Sequence, residues 1–144
     1  MPKKVLILSA SAGAGHLRAA QALEKAFAEA GGGEQVRHVD ILEYTNPLFK
    51  RMYSKAYLDM VDTMPEVLGW LYDQLDKPWK HRPTKLAFEK FNARPFSKLL
   101  EAYQPDLAIC THFLPAEIIA WMRRKAKLRC RLATVVTDLD VHAM

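Results

Sequence analysis

Four short apolar runs punctuate the chain: Val5–Leu8, Val36–Val39, Leu107–Cys110 and Leu132–Val136. They are rich in β-branched residues or bounded by helix breakers, and they read as buried strands. Between the first two, Ala20, Leu23, Phe27 and Ala30 recur at spacings of three and four, and Gly31-Gly32-Gly33 follows. That is an amphipathic helix with a glycine stop. Pro95–Tyr103 reads as another helix, closed by the connector Gln104-Pro105-Asp106. Pro115–Lys127 reads as a further one, with Pro115 near its first turn. Strands alternating with helices predict a three-layer, Rossmann-like α/β domain with a mainly parallel, doubly wound sheet. Ligands of such sheets gather at the C-terminal strand ends. Here those ends carry Ser9–His16, Asp40, Thr111-His112 and Thr137-Asp138.

One stretch breaks the alternation. Between the second and third strands, residues 44–94 form an insertion far longer than a single crossover helix requires. Leu48, Met52, Ala56 and Met60 repeat every four residues, flanked by Phe49, Tyr53 and Tyr57, so the apolar face is wide. Trp70 and Trp79 follow, interleaved with Lys77, Lys80, Arg82 and Lys85. Two readings fit. The aromatics close a local core beneath a solvated charged face, or they enter a membrane interface while the basic residues meet anionic headgroups.

The 144 residues suit one domain with a core of its own, and half of them are apolar, which argues against disorder. A formal charge of +5 is compatible with an anionic ligand or surface and equally with an ordinary basic protein. The opening Met-Pro-Lys-Lys and the apolar run behind it imitate a signal peptide, but the apolar part is too short and cleavage would remove the first strand. No run reaches the roughly 20 apolar residues of a membrane span. Cys110 and Cys130 lack metal-site spacing, which makes a reduced, cytoplasmic setting the expectation. Basic and aromatic residues interleave, yet no nucleic-acid-binding module is present and no nucleic-acid partner is expected.

The candidate chemistry centres on Ser9-Ala-Ser-Ala-Gly-Ala-Gly-His16, between a strand and a helix start. Small residues there let a ligand approach backbone N–H groups, and the helix N-terminus adds partial positive charge. Ser11, Gly13 and Gly15 are the phosphate-loop candidates. No Gly-Lys-Ser/Thr follows, so the segment is not a P-loop. As a dinucleotide fingerprint it is poor, because Arg18 stands where a third glycine belongs; Asp40, placed to bind a ribose, keeps an oxidoreductase reading alive. A plain strand-to-helix turn shares the same glycines.

His16 is the unusual member, since imidazole titrates near neutral pH and suits proton transfer. Asp138 follows the fourth strand on the same rim and is suited to orient His16, to act as base, or merely to cap a loop. His112 and His142 border the rim as well. Asp138-Leu139-Asp140 is an Asp-x-Asp with a histidine nearby, but a hard cation recruits further oxygen ligands, so no metal site is assigned.

Ser9-x-Ser11-x-Gly13-x-Gly15-His16-x-x-Ala19-Ala20-x-Ala22-Leu23, together with Thr137-Asp138-x-x-x-His142, resembles the N-terminal domain of monogalactosyldiacylglycerol synthases. The processive diacylglycerol glucosyltransferases of bacteria share this pattern, which spans essentially all of residues 1–144. The resemblance implies the N-terminal, acceptor-side half of a GT-B fold. It implies an inverting transferase, without metal or other cofactor, moving glucose or galactose from UDP-glucose or UDP-galactose to diacylglycerol. It places that enzyme in the cytoplasm, peripheral on the inner leaflet of the membrane. His16 and Asp138 then become the catalytic candidates, with His112 and His142 at the acceptor rim. Phe49, Trp70, Trp79, Lys80 and Arg82 become the docking candidates on an anionic surface. The nucleotide-sugar is held mainly by a second domain in such enzymes, so this chain is expected to be a fragment without transfer activity of its own. Apart from the resemblance, a freestanding lipid-surface binding module satisfies the same residues.

Overall fold

A computed structural model of the chain describes residues 4–12, 14–31, 35–48, 50–51, 66 and 92–137. Along them run β1 (Lys4–Ser9), α1 (Ala14–Ala30), β2 (Gln35–Asp40), a 3₁₀ turn (Ile41–Tyr44), α2 (Arg94–Tyr103), β3 (Leu107–Cys110), α3 (Phe113–Arg124) and β4 (Arg131–Thr134). The strands form one sheet in the order β2-β1-β3-β4, and every pairing is parallel. From β1 the chain moves outward to β2, then returns across β1 to build β3 and β4 on the other side. The reversal opens a crevice between the C-terminal ends of β1 and β3, the switch point where such sheets bind ligands.

The alternation of β1 sorts the core into two layers. Val5 and Ile7 pack with Ala20, Leu23 and Phe27 of α1 on one face. Leu6, Leu8 and Ala10 pack with Phe96 and Leu100 of α2 and with Leu114, Ile118, Ile119 and Met122 of α3 on the other. Buried on both faces, β1 must be apolar throughout, which is why it is so plain in the sequence. The architecture is thus the expected three-layer parallel α/β domain, as in the N-terminal half of a GT-B fold.

Several boundaries differ from expectation for local reasons. Helix α1 stops at the expected glycine, Gly31 with a left-handed φ of 63°, but begins at Ala14, inside the glycine loop. The fourth strand ends at Thr134 rather than Val136, because its partner β3 ends at Cys110, opposite Thr134. Val136, beyond the pairing, is 54% exposed. Helix α3 starts at Phe113, ahead of Pro115, because His112 caps it, and ends at Arg124 rather than Lys127. The insertion is pinned at its neck: the Asn46 N–H donates to the Asn92 carbonyl at 3.0 Å. Phe49, Trp70, Trp79, Lys80 and Arg82 lie outside the described residues, as do Gly13, Asp138 and His142. Among the described residues, no helix is long and apolar enough to cross a membrane.

Candidate active site

The loop after β1 is held from below by Asp40. Its Oδ1 accepts the Ser11 N–H at 3.1 Å and the Leu42 N–H at 3.0 Å, so one carboxylate oxygen ties the β1 loop to the cap of the 3₁₀ turn. An anionic side chain engaged this way is a support, and the Ser11 N–H is already directed at it. Beyond Ser11, the chain enters α1 at Ala14 and Gly15. A Cβ built on Gly15 would meet no atom within 4 Å. Packing therefore does not require glycine here, and glycine within a helix costs roughly 0.5–1 kcal/mol relative to alanine. Departures from local preference of this kind concentrate where a ligand needs room.

His16, in the first turn of α1, reaches across the switch point. Its Nδ1 lies 2.7 Å from the Thr111 carbonyl oxygen and 2.6 Å from the Thr137 Oγ1. Thr111 answers in the other direction. Its hydroxyl donates to the His16 carbonyl at 2.8 Å, its backbone N–H to the Leu8 carbonyl at 2.9 Å. The Thr137 hydroxyl also lies 3.2 Å from the Thr111 carbonyl. Residues following β1, β3 and β4 thus close on one imidazole. Thr137 immediately precedes Asp138.

His112 joins the same rim. Its ring is buried, and its Nδ1 accepts the Leu114 N–H at 3.1 Å, capping α3. It meets the His16 ring edge to face, with centroids 4.7 Å apart and planes at 82°, and stacks on Phe113 with centroids 4.3 Å apart. Histidine is an uncommon cap, and so the sequence offered His112 as a rim residue without its anchoring role. Thr111 and Thr137 as partners of His16 were likewise missed. They lie 95 and 121 residues from it, and only the strand register brings them together.

A second polar chain runs beneath α1. The fully buried Ser9 hydroxyl lies 2.9 Å from His38 Nε2, whose Nδ1 is 3.8 Å from Glu24 Oε2. The order Ser-His-Glu matches a hydrolytic triad. A hydroxyl with no exposed surface has no access to a substrate, so this chain ties β1, β2 and α1 together instead. The remaining titratable group of note is Cys110, whose thiol is pushed far up by burial and, secondarily, by Cys130. It behaves as a core hydrophobe. Among the described residues, no group of three histidine, cysteine or carboxylate side chains is placed to hold a metal ion.

An imidazole braced at one nitrogen, beside Gly15 in the first turn of a helix, suits proton removal next to a bound anion. Comparison with known proteins bears on what the reaction is. A sequence model of the family described as Monogalactosyldiacylglycerol (MGDG) synthase matches residues 16–144. The chain is 33% identical over 142 residues to a probable chloroplastic monogalactosyldiacylglycerol synthase of Glycine max, covering 96% of this chain and 27% of that protein. It is 31% identical over 142 residues to the chloroplastic monogalactosyldiacylglycerol synthase of Spinacia oleracea, covering 96% and 27%. It is 26% identical over 140 residues to the processive diacylglycerol beta-glucosyltransferase of Bacillus subtilis, covering 97% and 36%. The chain therefore spans between about a quarter and just over a third of the length of these relatives. No solved structure matches.

Proposed function

The chain belongs to the monogalactosyldiacylglycerol synthase family, and from that premise we propose that it is the acceptor-side domain of an inverting glycosyltransferase that moves glucose or galactose from a UDP-sugar to diacylglycerol. The observation that carries this reading is His16 at the β1–β3 switch point, its Nδ1 against the Thr111 carbonyl and the Thr137 hydroxyl. In that reaction His16 Nε2 takes the proton of the diacylglycerol hydroxyl as its oxygen attacks the anomeric carbon. The bond to the leaving diphosphate breaks, and the electron pair departs with the phosphate oxygen. The N-terminal turn of α1 at Gly15 supplies N–H groups and partial positive charge near that developing anion. Asp138, next to Thr137 in sequence, is the second catalytic candidate, either to orient His16 or to act as base.

The site of action proposed is the inner leaflet of the membrane, approached from the cytoplasm. Trp70, Trp79 and Phe49 enter the interface there while Lys80 and Arg82 meet anionic headgroups. Asp40, the ribose candidate of the oxidoreductase alternative, has its Oδ1 engaged by two backbone N–H groups and so acts as a support of the loop.

The experiment is transfer of radiolabelled hexose from UDP-glucose or UDP-galactose into organic-extractable lipid, with diacylglycerol in mixed micelles and the complete protein as catalyst. Label in a glycosyl-diacylglycerol supports the reading. Diacylglycerol binding without transfer under either donor would replace it with a lipid-surface module.

A further inference from the structure

The two rim imidazoles differ in what their hydrogen bonds demand of them. A carbonyl oxygen carries no proton, so a 2.7 Å contact between His16 Nδ1 and the Thr111 carbonyl is attractive when Nδ1 carries the hydrogen. The Thr137 hydroxyl fits that assignment: its oxygen accepts from Nδ1 while its own hydrogen points to the same carbonyl, 3.2 Å away. The neutral His16 ring then has its lone pair on Nε2. At His112 the logic reverses. Its Nδ1 accepts from the Leu114 amide, which does not surrender its proton, so the lone pair lies on Nδ1 and the ring hydrogen on Nε2. Two imidazoles in edge-to-face contact are thus held as opposite tautomers by backbone groups that titration does not alter.

We propose that the Thr111 carbonyl and the Thr137 hydroxyl on one side, and the α3 cap on the other, fix His16 as the Nδ1–H tautomer and His112 as the Nε2–H tautomer, making Thr137 and His112 positioning residues for proton uptake at His16 Nε2. Their use in catalysis rests on the glycosyl-transfer reading; the tautomers themselves do not. The consequence is directional. The proton leaving the acceptor hydroxyl goes to His16 Nε2 as the new oxygen–carbon bond forms. His112 contributes an edge-to-face ring contact, with centroids 4.7 Å apart, that packs against the His16 plane.

Nitrogen-15 spectroscopy of histidine-labelled protein reads the tautomers directly, with the two rings assigned through His16→Gln and His112→Asn. The expected pattern is a protonated Nδ1 and bare Nε2 for His16, and the reverse for His112. A bare Nδ1 on His16, or a protonated Nδ1 on neutral His112, overturns the proposal. Thr137→Val keeps the side-chain shape and removes the hydroxyl. The Thr111 carbonyl still accepts from Nδ1, so the His16 tautomer should hold, but loss of the second contact on Nδ1 should broaden the His16 nitrogen-15 signals and lower kcat by about 10-fold with KM unchanged, and Thr137→Ser should restore both. Unchanged His16 signals and an unchanged kcat in Thr137→Val would strip Thr137 of the role. If the tautomers and the signal response to Thr137→Val are as expected in a protein that transfers no hexose, the arrangement stands and the reading of the reaction fails.

Discussion

His16 Nδ1 and the Thr111 carbonyl oxygen, 95 residues apart in sequence, meet at 2.7 Å across the gap where the sheet reverses direction. This contact converts a topological feature, the crevice between β1 and β3, into a chemical one. It also gives the two nitrogens of His16 different parts in the proposed reaction: Nδ1 is braced by the fold, and Nε2 is the atom assigned to proton uptake.

Gly15 should trade stability against function. With no atom within 4 Å of its missing Cβ, Gly15→Ala should stabilise the fold by about 0.5–1 kcal/mol in urea titrations. The same methyl should obstruct the close approach of the diphosphate and raise KM for the UDP-sugar. A stabilised variant with wild-type kinetics would remove Gly15 from the ligand loop.

Asp40 should matter for the fold. Asp40→Ala strands the Ser11 and Leu42 N–H groups, and loss of a capping carboxylate typically costs about 0.5–2 kcal/mol. A lowered denaturation midpoint with the slope preserved is the expected result. If instead the variant keeps its midpoint, the two hydrogen bonds contribute nothing.

Cys110 sets an alkaline weakness. Burial raises its pKa in the native state, so the unfolded chain releases the thiol proton first as pH rises. That stabilisation is complete below the pKa of the unfolded thiol and is lost progressively above about pH 9, at up to about 1.4 kcal/mol per pH unit. Cys130 is shifted in the same direction, chiefly by burial, and adds to the loss. Cys110→Ala should flatten the fall in urea midpoint between about pH 8 and pH 10, measured against wild type. Equal slopes would contradict a protonated, buried thiol.

Anionic vesicles should capture the protein through its 44–94 insertion. Each nearby basic residue contributes up to about 1 kcal/mol, a term that salt screens beyond roughly 10 Å, and the aromatics add a salt-resistant part. Trp70→Ala with Trp79→Ala should remove much of the binding that survives high salt in vesicle sedimentation. Indifference to anionic vesicles at low salt would return the insertion to a local core with a solvated face.

What the sequence could disclose follows from what each element is made of. Strand β3 is legible to the residue because a central parallel strand is an unbroken apolar run. The outer strand β2 is less plain: Arg37 and His38 lie within it, since it pairs on one side with β1 in this sheet. The C-terminus of α3 is hidden because Ala126, not glycine, takes the left-handed φ of 55° after it. At the site, the glycine loop and His16 stand out as local patterns. Their partners Thr111 and Thr137 do not, because a contact between loops after three different strands is set by sheet register, which no local pattern encodes.

The most direct test of the whole account is the turnover of His16→Ala in the complete protein, assayed with UDP-glucose and UDP-galactose on diacylglycerol micelles. Removing a general base should lower kcat by about 10²–10⁴ while leaving UDP-sugar binding near that of wild type, with a modest fall in the urea midpoint from loss of the Nδ1 hydrogen bonds. Hexose transfer by His16→Ala at the wild-type rate would contradict it.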